Sequence, residues 1–406
     1  MQELDSLLKY EVFREFYYRQ NLSCAALSEI LGKSIPVITK AVNQLIKSGY
    51  VAETGYAPST GGRRPRIYTL NPDKMFIVTV AMDQLFTKIA ISNLQQKNVI
   101  PSETHELVLS GNNCSLYALI ELINGVILRS GIDRSSIMGI GIGMPGFINT
   151  TEGINYTYLP VEGQQVNLRK RLEKALQLPV VIDNDSSVIA LAELRFGLAR
   201  KSKDAMVVNI GWGIGLGMII QGKLFRGYAG YAGEFSHIPI SEADILCECG
   251  KRGCLETVAT LKVVVDKALT EIKDTKTSGI DFGGNHEEVS ESIMRAANQG
   301  DPDAIDLLTD MAYKIGKGIA ILVHIVNPEL IVLSGRGISS GRLLMAPVEQ
   351  ALNRFCIPRI LESTKVKMSV LGTNASLKGA AALVIDHWYD TKTVRQSGKE
   401  KSLNSS

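Results

Sequence analysis

Three cysteines fall within eight positions in the stretch CECGKRGCLE: Cys247, Cys249 and Cys254, in a chain that has only six. Thiolates at C-x-C-x4-C spacing can converge on one soft metal ion, and Gly250 and Gly253 let the backbone fold round it. A tetrahedral ion takes a fourth ligand, and His237, ten residues before Cys247, is the nearest preceding histidine. Three thiolates and one imidazole leave no open position for water, so the expected cofactor is a structural zinc. The alternative is three reduced cysteines in a loop. Cys24, Cys114 and Cys356 are isolated and read as buried small hydrophobes.

A second group lies in VVIDNDSSVIALAELRFG. An apolar strand ends at Asp183 and a helix begins near Asp185 to Ser187. Asn184 and Asp185 then sit at a strand's C-terminal edge, where α/β proteins bind small molecules. The plainer role for Asp185 is a helix N-cap.

The third group is cationic. GYAPSTGGRRPR lies between two strand-like segments, YVAET and RIYTL, with Gly61 and Gly62 at the tip and Arg63, Arg64 and Arg66 beside it. Such a tip can reach a phosphate backbone or a minor groove. Before it come three helical segments. Leu4, Leu8, Val12 and Phe16, flanked by Leu7, Phe13 and Tyr17, share an apolar face. Ser23 caps a short helix that stops at Gly32, and Ser34 caps a third with Pro36 in its first turn. In the third helix Ile38, Ala41, Val42 and Leu45 share one side, and Pro36, Lys40, Asn43 and Lys47 lie opposite. Helix, short turn and a helix with a cationic outer face predict a winged helix-turn-helix; the bland alternative is a small bundle with a basic loop.

These sites need elements to hold them. Hydrophobic content of 45%, charged content of 21% and a net charge of +3 suit an ordinary globular protein of 406 residues with two or three domains. No apolar run approaches a membrane span, and the N-terminus lacks a signal-peptide core, so a cytoplasmic protein without a membrane partner is expected. After LNPDK the chain alternates apolar strands with amphipathic helices, an α/β pattern. FIVTVAMDQLFTKIAIS and MVVNIGWGIGLGMIIQG echo each other about 130 residues apart, which predicts a duplicated fold. The polar tail over 391–406 is expected to be disordered.

Taken in order, GIGMPG, DND…ALAE, NIGWGIGLGMI, GYAGEFSH, CECGKRGCLE, IVLSGRG and NASLKGAAALV resemble the ROK family (repressor, open reading frame, kinase) over residues 75 to about 388. The N-terminal region, with STGGRRP, is similar to the winged helix of the family's repressor branch, which includes N-acetylglucosamine and xylose repressors. The resemblance implies an α/β fold: a winged helix-turn-helix over 1–70, then an actin-like, sugar-kinase-like two-lobed domain over 71–390. It implies sugar binding by Asn184, Asp185, Glu234, His237 and Glu256, with His237 also on the zinc. The function implied is a sugar-responsive transcriptional repressor. It would bind double-stranded operator DNA through Pro36, Lys40, Asn43, Arg63, Arg64 and Arg66, answer to a sugar or sugar phosphate, and form a homodimer or homotetramer. The alternative is an ATP-dependent sugar kinase with an attached winged helix, in which Asp185 is the base.

One departure favours the repressor. Kinase members carry Asp-x-Gly-Gly-Thr-Lys as a first phosphate loop, whose glycines open backbone N–H groups to the phosphates. Here the segment is Asp83-Gln84-Leu85-Phe86-Thr87-Lys88. The second loop keeps Gly211, Gly213, Gly215 and Gly217, with Trp212 where a threonine is usual. A closed phosphate site beside a retained sugar pocket is what a sensor would show.

Overall fold

The N-terminal helices form because each has an apolar face, and the first two also have a side-chain cap. The computed structural model describes residues 6–57, 64–110, 114–159, 167–273 and 278–403, with side chains through Tyr389. α1 (Leu7–Arg19) is capped by Ser6, which accepts from the Lys9 N–H. α2 (Cys24–Leu31) is capped by Ser23 and ends at Gly32 in the left-handed region, φ 62°. α3 (Ile35–Lys47) buries Ile38, Ala41, Val42 and Leu45, the predicted side. Ser34 occupies its N-cap position but makes no side-chain cap bond. β1 (Val51–Tyr56) and β2 (Arg66–Leu70) then pair as an antiparallel hairpin. Three helices and a hairpin follow the expected winged-helix order.

Two sheets carry the rest. β3 (Phe76–Met82), β4 (Phe86–Asn93) and β5 (Glu103–Glu106) form an antiparallel meander. α4 (Ser115–Ser130) leads to β6 (Ile137–Met144), parallel to β3. The short strands β7 (Ile148–Asn149) and β8 (Ile154–Asn155) and then α5 (Leu168–Leu176) precede β9 (Val180–Asn184), and the sheet order is β5-β4-β3-β6-β9. After α6 (Asp185–Arg195) the plan repeats. β10 (Ala205–Ile210), β11 (Ile214–Ile220) and β12 (Lys223–Phe225) form the second meander. Helices α7 (Leu261–Lys267), α8 (His286–Asn298) and α9 (Pro302–Val326) come before β13 (Leu330–Ser334), parallel to β10. α10 (Arg342–Phe355) and α11 (Pro358–Leu361) lead to β14 (Lys365–Met368), giving β12-β11-β10-β13-β14. In each sheet the first three strands of the set run third, second, first, and the fourth and fifth follow. The echo in the sequence is therefore a real duplication of one topology.

The chain divides into two compact units. The first comprises 1–146, 150–183 and 380–406, and the second 147–149 and 184–379. The N-terminal helices thus belong to the same unit as the first sheet, and the reason is α12 (Ala375–Leu403). Tyr18 Oη donates to Asp386 Oδ1 at 2.8 Å, Tyr10 Oη donates to the Ile385 carbonyl, and the Tyr10 and Tyr389 rings stack at 5.5 Å. Gly141 of β6 admits the same helix, since a Cβ there would meet the Ala380 carbonyl oxygen at 2.0 Å.

Several expectations change. Leu7 is 54% exposed, while Tyr10 and Tyr18 are buried, because α1 is covered on a second side by α12. Leu4 lies outside the described residues. The segment expected to be a disordered tail continues α12 in helical backbone to Leu403; Lys, Arg, Gln and Glu there are good helix formers and no proline interrupts them. Cys114 is exposed and Cys24 half-buried, against the expected burial. Cys114 is the N-cap of α4, one residue ahead of the buried Ser115 and Leu116. No helix among the described residues is long and apolar enough to cross a membrane.

Candidate functional site

The cysteine loop is closed by its own backbone hydrogen bonds. The Cys247 N–H donates to the Lys251 carbonyl at 2.8 Å, and the Gly250 N–H to the Cys247 carbonyl at 2.9 Å. Gly250 and Gly253 have φ of 81° and 79°, which favour glycine, and a Cβ on Gly253 would meet the Ser241 carbonyl oxygen at 2.7 Å. A 3-10 turn, Phe235–His237, carries the imidazole. The ligand atoms of His237, Cys247, Cys249 and Cys254 all lie within 4.8 Å of one another. Cys247 Sγ is 3.7 Å from His237 Nδ1, and Cys249 Sγ is 3.6 Å from Cys254 Sγ. Ligand atoms on a tetrahedral ion with 2.3 Å bonds to sulfur stand about 3.8 Å apart, so set and spacing suit a small metal ion. Burial, and then the Cys249 and Cys247 side chains, push the Cys254 thiol up to about 12. A cation would supply the missing countercharge.

Carboxylates converge beside this cluster. Glu234 precedes the His237 turn, and Glu256 follows Cys254 by two residues. Glu234 Oε2 is 3.8 Å from His237 Nε2, and Glu256 Oε2 is 3.8 Å from Nδ1. Both separations exceed a hydrogen bond. Burial first, then Asp185 and Glu256, push Glu234 up to about 7. Burial, then Glu248 and Asp185, do the same for Glu256, to about 7. The imidazole is directional: Nδ1 faces the Cys247 thiol and Glu256, and Nε2 faces Glu234.

Asp185 reaches this neighbourhood from α6. Asn184, and not Asp185, is the N-cap: its Oδ1 accepts from the Ser186 and Ser187 N–H groups at 3.0 and 3.3 Å. Asp185 is held from β10, where Asn209 Nδ2 donates to its Oδ2 at 3.3 Å and to Ser186 Oγ at 3.2 Å. Asn209 was not foreseen; its signal was a polar residue at a strand end just before Gly211.

The two expected phosphate loops differ from a phosphate cradle in different ways. In the first unit, Asp83 Oδ1 accepts the Leu85 and Phe86 N–H groups at 2.8 and 2.7 Å. The carbonyls of Leu85 and Gln84 accept from Leu107 and Leu109. The hairpin tip thus engages its own carboxylate where a phosphate would need those donors. In the second unit, Gly215 and Gly217 lie on β11 and serve packing. A Cβ on Gly215 would meet Ser186 Oγ at 2.1 Å, and one on Gly217 would meet Ala190 Cβ at 2.2 Å. Only Gly211 and Gly213 belong to the turn itself. Trp212 packs edge-on to His286 at 5.7 Å.

On the N-terminal helices, Pro36, Lys40, Asn43 and Lys47 are exposed along α3, and a shallow groove runs along this face. Arg64 is exposed. Arg66 is engaged across the hairpin by Glu53 at 3.0 Å. Arg63 lies outside the described residues.

Residues 110–387 match the profile of the ROK family. The chain belongs to the ROK family. A xylose repressor from Caldicellulosiruptor bescii is 30% identical over 383 residues, 94% of this chain and 96% of that protein. A glucokinase from Halalkalibacterium halodurans is 32% identical over 255 residues, but these cover 62% of this chain and 77% of that protein. The crystal structure of a ROK family transcriptional regulator, a homolog of the E. coli MLC protein, superposes with a TM-score of 0.75 at 25% identity, covering 94% of this chain and 96% of that one. Within the ROK family, therefore, the likeness to a repressor spans nearly the whole chain, and the likeness to the glucokinase covers a smaller share of it.

Proposed function

We propose that this ROK protein is a sugar-responsive transcriptional repressor. The observation that carries the reading is the near full-length likeness to a xylose repressor. The closed tip at Asp83 supports it, because two backbone donors of the first phosphate loop are already engaged by that carboxylate.

In this reading Asn184, Asp185, Glu234, His237 and Glu256 receive the sugar. Carboxylates accept hydrogen bonds from hydroxyls, and His237 offers Nε2 while Nδ1 serves the metal. Zinc fits the ligand set of His237, Cys247, Cys249 and Cys254; in a closed four-ligand site it supplies structural support and no open position for chemistry. Its effect on sugar binding runs through the fixed imidazole, as second-shell groups fix a ligand's orientation. The N-terminal helices take operator DNA in the cytoplasm. Pro36, Lys40 and Asn43 face the major groove, and Arg63, Arg64 and Arg66 lie along the backbone or minor groove. A homodimer or homotetramer would match a two-fold symmetric operator. The sugar acts by favouring one of two states of the protein that differ in DNA affinity.

The test is a DNA-binding titration of the full chain on its own upstream DNA, with and without a panel of sugars and sugar phosphates. One sugar should weaken DNA binding. Asp185→Asn should weaken that sugar by about 1–3 kcal/mol while leaving DNA affinity unchanged. Equal DNA affinity across the panel would overturn the reading. A sugar kinase is the second reading, favoured by the likeness to a glucokinase and by the way Asn209 orients Asp185. ATP consumption dependent on a sugar and abolished by Asp185→Asn would establish it.

A further inference from the structure

Phe147 lies far along the chain from His237 and the cysteines, at the end of GMPGF, yet it belongs to the compact unit that holds the metal cluster. Its ring lies nearly parallel to the His237 imidazole, 21° between planes and 6.1 Å between centroids. On Phe147 in turn stands Tyr231, edge-on at 82° and 6.0 Å. Tyr231 precedes His237 by six residues, on the same segment, GYAGEFSH. Three rings thus form a run of stacked, then perpendicular planes, with the imidazole at one end.

An imidazole needs such a restraint here. It has two duties on opposite nitrogens: Nδ1 toward Cys247 at 3.7 Å and Nε2 toward Glu234 at 3.8 Å. Rotation about the ring's attachment bond would spoil both at once. Metal-bound histidines are commonly held by a hydrogen bond from the far nitrogen. The Glu234 oxygen is too distant to make one. A flat ring lying along the imidazole can limit the same rotation by contact, and an edge-on neighbour in turn holds that ring.

We propose that Phe147 is a positioning residue of this site, fixing the plane of His237 toward the metal and the sugar, with Tyr231 holding Phe147 in place. The sugar arm rests on the function proposed above; the metal arm does not.

The experiment is zinc release from the purified full-length protein to a chromophoric chelator, together with the visible absorption of the Co2+-substituted protein. Phe147→Leu keeps an apolar side chain and removes the plane. It should release zinc faster by about tenfold, the lower end of what second-shell partners contribute to metal affinity, and alter the Co2+ bands. Phe147→Tyr should restore both, since it restores the ring. Tyr231→Leu, which leaves the stacked pair in place, should show the same change in smaller measure, and it keeps the test open if Phe147→Leu fails to fold. Release at the unmodified rate in both leucine variants overturns the proposal. So does a Phe147→Tyr variant as leaky as Phe147→Leu, because volume alone would then matter. Calorimetry with D-xylose and N-acetyl-D-glucosamine adds the second arm. A sugar that binds the unmodified protein should bind Phe147→Leu more weakly. If neither sugar binds the unmodified protein, the functional reading loses support, and the metal arm still decides the role of Phe147.

Discussion

Replacing Gly217 with alanine tests whether the glycines of NIGWGIGLG serve packing or phosphate. The added Cβ would sit 2.2 Å from Ala190 Cβ and 2.6 Å from the Ser186 carbonyl oxygen. Carbon atoms in contact prefer 3.5–4.0 Å, so α6 and β11 must part by about 1.5 Å at that point. Neither obstacle can rotate away, since one is a backbone oxygen and the other a methyl on a helix. Overpacking of this kind costs about 1–3 kcal/mol. In a unit of about two hundred residues that lowers the melting temperature by roughly 2–12 °C, at about 2–4 °C per kcal/mol. The displaced segment begins with Asp185 and Ser186, so sugar affinity should fall as well; a binding group moved beyond about 0.5 Å no longer fits its partner. Gly211→Ala is the control, because the nearest atom to its Cβ would be the Gly213 carbonyl oxygen at 3.8 Å, an ordinary contact. Thermal denaturation and calorimetry on the two variants decide the matter. A Gly217→Ala protein with unchanged melting and sugar affinity would refute the packing argument, as would a Gly211→Ala protein equally damaged.

The remaining predictions concern the metal, the DNA face and the carboxylates. Cys254→Ser should lower zinc content well below one equivalent and reduce both melting temperature and sugar affinity, because the metal ties the loop to His237; elemental analysis checks the first and calorimetry the rest. Arg64→Ala should weaken binding to all DNA sequences and reduce the salt slope by about one, whereas Asn43→Ala should change sequence preference with the slope retained, as measured by titrations at several salt concentrations. Glu234 is pushed up to about 7 from an ordinary carboxylate value, so its ionisation opposes folding: stability falls as pH rises from about 4.5 through 7. Glu234→Gln should flatten that fall, and its advantage over the unmodified protein at pH 8 should vanish by about pH 4.5 in a series of melts.

What the sequence determined by itself was local. Cys247, Cys249, Cys254 and His237 lie within eighteen residues, and their spacing with two glycines specifies a converging ligand set, which the structure brings together. The buried side of α3 followed from its helical period, and the duplicated sheet from two matching hairpins. Tertiary structure decided what depends on segments far apart in the chain. Asp185 was legible as polar at a strand edge, but its fixing by Asn209 required β10 to lie beside α6. Gly215 and Gly217 look like phosphate-loop glycines in sequence; only the approach of Ser186 and Ala190 shows that they admit a helix. Tyr18 and Asp386 meet across 368 residues, which is why α1 buries a second side that its own pattern does not announce. The physical reason is the same in each case. Backbone periodicity and loop closure act over a few residues and leave a mark in their spacing, while burial against a distant element depends on which surfaces the fold brings together.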